Sequence, residues 1–192
     1  MNRFDLPDNL PVPIDDGQCT HLKVGMKFPV DILMRLPTTS QRPVDIVSQP
    51  RTIIYFYPRT GKPNQKIPDG WDDIPGARGC TPESCGFRDH YQELQSLGAN
   101  VYGCSTQTTE YQQEVVERLY LPFDLLSDSK LELLNHLHLP YFTLAELDNI
   151  SLIKRLTIII NHDTIEHVFY PIFPPDKHSQ EVIDWLKQNP IK

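Results

Sequence analysis

The amino-acid sequence predicts an α/β fold in which helices cover a central β-sheet, and three observations lead to this prediction. Segments rich in β-branched and aromatic residues alternate with segments that repeat apolar residues at helical spacing. Residues 51–57 are a nearly unbroken β-branched and aromatic run, as in a strand covered on both faces. Two strand-like segments near the end are separated only by a short turn, which adds an antiparallel hairpin.

The first part of the chain is predicted to surround one central strand. Residues 1–22 are rich in Pro and Asp, so we expect an N-terminal arm there rather than a domain. Residues 23–47 carry short apolar stretches around a Pro-flanked polar segment, which predicts a β-hairpin or two short strands at the sheet edge. The central strand covers residues 51–57. Eight of the twenty-two residues 58–79 are Gly or Pro, and a loop of this length is usually functional or disordered.

A helix is predicted directly after Cys80. Thr81 is a suitable N-cap, and Pro82 suits the first helical position. An apolar face follows at helical spacing, and Gly98 is expected to end the helix. The residues on this face are Phe87, Tyr91, Leu94 and Leu97.

The remaining segments alternate between strand and helix patterns. Strands are predicted over residues 100–106, 123–126, 155–161 and 165–170, and helices over residues 110–119, 130–137 and 180–187. This order is compatible with a thioredoxin-like fold, a central mixed β-sheet flanked by helices. The length suits one hydrophobic core, so residues 23–192 are predicted to form a single domain.

Composition excludes several classes of protein. The 192 residues include 18 Lys and Arg against 25 Asp and Glu, a net charge of -7 without a basic run, so we expect no binding to nucleic acid or to an anionic membrane surface. The first residues lack the apolar stretch of a secretory signal, and no apolar run is long enough to cross a bilayer. We therefore expect a cytoplasmic protein whose four cysteines are buried or reactive thiols.

Cys80 lies where the long loop meets the predicted helix. Unpaired N–H groups and the positive end of the helix dipole favour an anion at this position. Arg78 adds a positive charge two residues earlier. Together these features predict a lowered pKa for the Cys80 thiol, which would make the sulfur a better nucleophile at neutral pH.

Cys85 follows five residues later on the same predicted helix. At 100° and 1.5 Å per residue, the two side chains are about 140° apart around the helix and about 7.5 Å apart along its axis. A disulfide needs Cα atoms about 4.4–6.8 Å apart. An intact helix therefore prevents this bond, and oxidation of the pair requires the first turn or two to unwind.

The segment GCTPESCGFRDHY, residues 79–91, resembles the active-site signature of peroxiredoxins of the bacterioferritin-comigratory or Q type. Further segments recur in family-like order and extend the resemblance to roughly residues 45–188. These are YGCST at 102–106, FDLLSDS at 123–129, RLTIII at 155–160 and IEHVFYP at 165–171.

The resemblance implies a thiol peroxidase that reduces hydrogen peroxide or alkyl hydroperoxides. It makes Cys80 the peroxidatic thiolate, Cys85 the resolving thiol of an intrasubunit disulfide, and Arg155 the arginine that supports the thiolate. It requires no metal and no organic cofactor. The reductant would be thioredoxin, or glutaredoxin with glutathione, and the protein would be a monomer or a homodimer.

The sequence departs from the family pattern just before Cys80. The family has a Thr or Ser three residues earlier and a Pro four residues before that, whereas this chain has Ala77 and Asp73. Pro58 and Thr60 are candidates for these residues if residues 58–79 contain an insertion. A missing hydrogen bond to a charged group costs about 1.5–3 kcal/mol, so either activity is reduced or Arg78 compensates.

Two other classes of protein remain open. One is a catalytically weak or silent protein of the same fold that acts as a redox sensor. The other is a dithiol–disulfide oxidoreductase, although such enzymes usually carry Cys-x-x-Cys. A zinc site from Cys80, Cys85 and His90 is not expected, because successive members rotate by about 140° on a helix and do not converge.

The remaining cysteines, Trp71 and three histidines are further candidates for a site. Cys104 is predicted to be buried in a strand, while Cys19 is interpreted as an incidental surface thiol or, alternatively, as a disulfide partner of Cys80. Trp71 is predicted to anchor the long loop by a hydrophobic contact, with substrate contact as the alternative. Three histidines are expected to be solvated, namely His136, His138 and His162.

Overall fold

A computed structural model describes residues 5–192 of the chain. It contains six α-helices and seven β-strands in these residues. The helices are α1 Val30–Arg35, α2 Cys80–Asp89, α3 Tyr91–Ser96, α4 Thr109–Leu119, α5 Glu132–Leu137 and α6 His178–Gln188. The strands are β1 Arg51–Phe56, β2 Ala99–Ser105, β3 Leu125–Ser127, β4 Tyr141–Phe142, β5 Leu152–Ile153, β6 Leu156–Asn161 and β7 Thr164–Phe169.

Five strands form one mixed sheet in the order β3-β2-β1-β6-β7. β1 pairs in parallel with β2 and antiparallel with β6, and β6 turns back into β7 as the predicted hairpin. Every residue of β1 is buried, as expected for a central strand with helices on both faces. The predicted class, a central mixed sheet flanked by helices, is therefore the observed one.

Alternate residues of β1 supply two separate cores. Ile54 and Phe56 pack with α1 and α5 on one face of the sheet, whereas Ile53 and Tyr55 pack with α2, α4 and α6 on the other. This follows from the two-residue side-chain period of a strand. Cys80 belongs to the second core.

The prediction for residues 23–47 is wrong in part. The apolar stretch after Pro29 forms α1 instead of a strand, and Pro37 follows shortly after the helix ends. Only isolated bridges, from Lys27 to Thr164 and from Thr38 to Leu126, connect this segment to the sheet edges. A short apolar run between two prolines does not distinguish one and a half helical turns from a short strand.

The helix predicted after Cys80 is divided in two. It leaves helical geometry at His90, whose ring Nδ1 lies 2.9 Å from Ser179 Oγ on α6.

The small sheet of β4 and β5 was not predicted, because two residues per strand show no periodicity.

Residues 5–22 of the predicted arm contain no helix or strand, and residues 1–4 lie outside the described part. The arm nevertheless packs against the domain, since Cys19 and Leu22 are buried in the first core. Asp16 accepts hydrogen bonds from Tyr170 (2.8 Å) and Lys154 (3.1 Å). The interpretation of Cys19 as a surface residue is therefore wrong, and burial raises the pKa of its thiol to about 12. The alternative, a disulfide with Cys80, is not formed, since Cys80 is buried in the other core.

The loop over residues 58–79 has one short 3-10 helix, Trp71–Asp73. Trp71 is buried, and its ring centroid lies 5.8 Å from that of Phe142. The predicted hydrophobic anchor is thus confirmed. Across residues 5–192, none of the helices has both the length and the apolarity that a membrane span requires.

Candidate active site

Cys80 is the first residue of α2, and the geometry of Gly79 determines this position. Gly79 has φ +110°, a conformation that favours glycine, and a Cβ added there would overlap the Pro175 ring. The helix therefore begins one residue before the predicted N-cap, Thr81. The sulfur of Cys80 consequently lies at the end of the helix whose backbone N–H groups are unpaired.

The Arg155 side chain brings a positive charge to the sulfur. Its Nη2 donates to Cys80 Sγ at 3.2 Å and to the carbonyls of Ala77 (3.1 Å) and Arg78 (3.3 Å). Its Nε donates to the Gly76 carbonyl at 3.2 Å. The guanidinium is almost fully buried, and the loop carbonyls fix its orientation. The structure thus brings together Cys80 and Arg155, two residues predicted for the site.

Glu83 is a site residue that the sequence interpretation missed. It is fully buried on α2 and forms an ion pair with Arg155 Nη1 through Oε2. Its other oxygen, Oε1, is buried without a hydrogen-bond partner. Residues three apart on a helix share a face, so the spacing from Cys80 to Glu83 was the signal that could have found it.

Arg78 does not supply the charge that was predicted for it. Its Nη1 forms a salt bridge with Asp72 Oδ1 at 2.7 Å, and only its backbone carbonyl takes part in the contacts around Arg155. The positive charge beside Cys80 therefore comes from Arg155, the residue just before β6, and not from Arg78.

The pKa of the Cys80 thiol is raised rather than lowered in this enclosed arrangement. Burial is the main cause, and the nearby Glu83 carboxylate adds to it, whereas Arg155 and the backbone N–H of Arg59 act in the opposite direction. Burial also raises the pKa of Glu83. One guanidinium thus serves two buried acids, and ionisation of either one opposes ionisation of the other.

Thr60 does not provide the hydroxyl that the family pattern suggests. Its side chain is buried, and its Oγ1 lies 3.3 Å from Gln107 Oε1, while Gln107 Nε2 donates to the Thr60 carbonyl at 3.1 Å. Three residues before Cys80, where the family pattern has Thr or Ser, Ala77 offers a carbonyl oxygen 3.7 Å from Cys80 Sγ. The sulfur therefore has the guanidinium, but no threonine hydroxyl among its hydrogen bonds within residues 5–192.

Cys85 lies on the same helix as Cys80 and is half-buried. Burial raises the pKa of its thiol, and the charges of Arg88 and Arg118 oppose this effect. All four cysteines are free thiols in the structure. Because α2 is continuous between Cys80 and Cys85, the pair is held about 7.5 Å apart along the axis.

The predictions for Cys104 and for three histidines are confirmed by their burial and exposure. Cys104 is fully buried in β2, as predicted. The three histidines expected in solvent are exposed, namely His136, His138 and His162.

A cavity of about 240 Å³ opens onto Cys80. The long loop forms most of its wall between residues 59 and 68, and the arm contributes Asp5 and Leu6. The first residues of α2 form its floor. The site therefore combines a buried thiol, a fixed cation and an adjoining cavity that Cys80 helps to line.

Known proteins are similar to this chain in sequence and in fold. The AhpC/TSA family profile matches residues 74–168. The chain is 32% identical to peroxiredoxin Bcp of Escherichia coli strain K12 over 72% of this chain and 80% of the relative. Peroxidoxin BcpB of Mycobacterium tuberculosis has a similar structure, with a TM-score of 0.68 and 24% identity over 88% of this chain and 98% of that one.

A Xanthomonas campestris bacterioferritin comigratory protein, described with alkyl peroxide reduction activity, gives a TM-score of 0.65 at 17% identity, covering 87% of this chain and 99% of that one. The predicted thioredoxin-like fold is thereby confirmed. The similarities agree with the resemblance seen in residues 79–91, and they do not favour a silent protein or a dithiol oxidoreductase.

Proposed function

Because the chain belongs to the peroxiredoxin family, in its Bcp/Q group, and is a thiol peroxidase, we propose that Cys80 is the residue that attacks the peroxide. The contact between Arg155 Nη2 and Cys80 Sγ at 3.2 Å supports this role. A second supporting feature is the helix N-terminus, which favours a thiolate at Cys80. Cys80 also helps to line the cavity, from which a peroxide would approach the sulfur.

The first step forms a sulfenic acid. The Cys80 thiolate attacks one peroxide oxygen, the O–O bond breaks, and the other oxygen leaves as water or an alcohol after it takes up a proton. Arg155 would stabilise both the thiolate and the charge that develops on the leaving oxygen. Burial acts to lower the pKa of Arg155, but the neighbouring Cys80 and Glu83 raise it above its ordinary value, so the guanidinium is charged at any relevant pH.

We assign Glu83 a positioning role. Its ion pair and the three loop carbonyls hold the guanidinium plane against the sulfur. Glu83 touches Arg155 and not the reacting atoms, so it acts through Arg155. The negative charge of Glu83 also raises the pKa of the Cys80 thiol. Glu83 therefore fixes the position of the cation but makes ionisation of Cys80 less favourable.

We propose that Cys85 resolves the sulfenic acid. Its thiol would attack Cys80 sulfur, release water and form an intrasubunit disulfide. This step requires the first turns of α2 to unwind, since the helix keeps the pair apart. The closed helix is held by close packing, because a Cβ added at Gly86 would lie 2.8 Å from Ser179 Oγ.

A thiol reductant must then supply two electrons to restore both cysteines. We propose thioredoxin as this reductant, with glutaredoxin and glutathione as the competing donors. A cytoplasmic setting is also proposed, since a reducing compartment maintains free thiols and supplies the electrons.

Peroxide consumption with thioredoxin and its reductase tests these roles. Wild type is expected to turn over continuously, whereas Cys80→Ser loses all turnover above background. Cys85→Ser is expected to consume one equivalent of peroxide and then stop when thioredoxin and every other thiol are omitted from the assay. Continuous turnover by Cys80→Ser would refute the assignment of Cys80.

A further inference from the structure

The cavity over Cys80 is larger than hydrogen peroxide requires. A cavity needs only about 10–15 Å³ to hold one water molecule, so the two oxygen atoms of hydrogen peroxide need a small part of the cavity volume of about 240 Å³. Part of the wall is apolar. The side chains that form it are Leu6, Ile67, Pro68, Trp71 and Pro82. The space therefore suits an organic hydroperoxide with a compact apolar body.

The same cavity is strongly cationic in a chain of net charge -7. Five cationic side chains and one carboxylate, Asp5, line it. The cations are Arg59, Lys62, Lys66, Arg78 and Arg118. A local reversal of charge at the mouth of a site concentrates anions there.

Three of these cations are already paired with carboxylates. Lys66 pairs with Asp69 at 2.6 Å, Arg78 with Asp72 at 2.7 Å, and Arg118 with Glu114 at 2.7 Å. Arg118 also donates to the Gly61 carbonyl at 3.0 Å and so holds the loop in place. Their charges are largely compensated by these neighbours.

Arg59 and Lys62 differ from the other three. Within residues 5–192 neither forms an ion pair. Both contact Tyr111 instead: Arg59 Nη2 donates to its hydroxyl at 3.5 Å, and Lys62 Nζ lies 4.5 Å from its ring centroid. Tyr111 thus holds two cations side by side, and no carboxylate of residues 5–192 lies within ion-pair distance of either.

We propose that Arg59 and Lys62 bind the carboxylate of an anionic organic hydroperoxide and thereby determine which peroxides the enzyme prefers. The peroxide group would reach Cys80 while the carboxylate faces the long loop, and the apolar wall would contact the body of the molecule. Charge-assisted hydrogen bonds from a guanidinium and an ammonium suit a carboxylate. This inference rests on the proposed function, because it requires Cys80 to be the peroxide-reducing residue.

A pair of substrates that differ only in charge tests this proposal. The probes are 4-(2-hydroperoxypropan-2-yl)benzoate and its methyl ester, and the readout is the ratio of their kcat/KM values. Lys62→Gln is expected to lower the acid-to-ester ratio by up to about fivefold, the upper end of the effect of one exposed charge pair. The additional change Arg59→Gln should lower it further. Raising the salt concentration should lower the wild-type ratio, because exposed charges are screened.

Lys27→Gln is the matched control, since it removes the same charge at the far end of the sheet. Lys27 pairs with Asp163, which lies in the turn between β6 and β7. This turn follows the end of β6, whereas Arg155 lies just before its start. Its ratio should equal that of wild type.

Two results would overturn the inference, and they are distinguishable. If both probes are reduced through Cys80 but the ratio is unchanged in Lys62→Gln and at high salt, the anion site is wrong and the peroxidase assignment stands. If wild type and Cys80→Ser consume both probes at the same background rate, the proposed function fails, and the inference fails with it.

Discussion

Replacing Gly79 by Ala is expected to weaken the closed form of α2 more than it weakens the rest of the fold. The residue has φ +110°, and a positive φ costs a residue with a Cβ about 1–2 kcal/mol. The new Cβ would overlap the rigid ring of Pro175 and lie 3.0 Å from Leu6 Cδ2, and overpacking of this kind costs about 1–3 kcal/mol. The sum is about 2–5 kcal/mol.

Gly76→Ala separates these two contributions. Gly76 also has positive φ, +79°, but its Cβ would lie at an ordinary 3.7 Å from Pro13. This variant should therefore lose only the backbone contribution of about 1–2 kcal/mol. Combining Gly79→Ala with Pro175→Ala should recover the packing contribution. Urea denaturation of the reduced wild type and of these three variants measures the four free energies of unfolding.

The functional consequence of Gly79→Ala concerns disulfide formation. Unwinding the first turn relieves both the strained φ and the overlap with Pro175, so the cost of unwinding falls. A reduction of about 2 kcal/mol corresponds to about 30-fold in rate. After peroxide is added, stopped-flow fluorescence of Trp71, which lies beside the site, should show a faster disulfide-forming phase. The rate of this phase should not depend on the peroxide concentration. A variant that is destabilised as calculated but forms the disulfide within twofold of the parent rate would refute the claim that this step requires the first turn of α2 to unwind.

Three further predictions follow from the same contacts. Arg155→Gln should slow the reaction with hydrogen peroxide about 10- to 150-fold, as expected for a lost charged hydrogen bond, whereas Arg78→Gln should change it less than threefold because Asp72 already pairs that charge; equal losses would contradict the geometry. Glu83→Ala should destabilise the protein by about 3–5 kcal/mol, since it leaves a buried cation without its carboxylate, and a loss below 1 kcal/mol in urea denaturation would contradict the buried ion pair. Burial raises the pKa of Cys19 to about 12, so the stability that the neutral thiol contributes is fully present below the ordinary thiol pKa and is lost as pH rises towards 12. Above pH 9, the free energy of unfolding of wild type should therefore fall about 1.4 kcal/mol more per pH unit than that of Cys19→Ala. Parallel slopes for the two proteins would show that Cys19 is not buried as described.

The sequence indicated the position of Cys80 well, because loop composition and helix start signals are local. It did not indicate where the charge on that sulfur comes from. Arg78 is near Cys80 in sequence, but Asp72 pairs with it. Arg155 is 75 residues away and reaches the sulfur only because β6 lies beside β1 in the sheet. The family resemblance identified Arg155, whereas local reasoning favoured Arg78.

Burial explains the other differences. The predicted lowering of the Cys80 pKa considered the helix end and a cation, but not the enclosure of the sulfur, which is the largest influence. Glu83 read as an ordinary acidic residue of a first helical turn, and only the packing of α2 against Arg155 shows its function. Cys19 read as a surface residue because its neighbours are polar, although its own side chain is buried.

Trapping of the sulfenic acid tests the central claim most directly. Cys85→Ser is mixed with one equivalent of hydrogen peroxide in the presence of dimedone, and the labelled residue is located by mass spectrometry. The account predicts one adduct on Cys80, formed more slowly when Arg155 is also changed to Gln. An adduct on Cys19 or Cys104, or no adduct while peroxide is consumed, would contradict it.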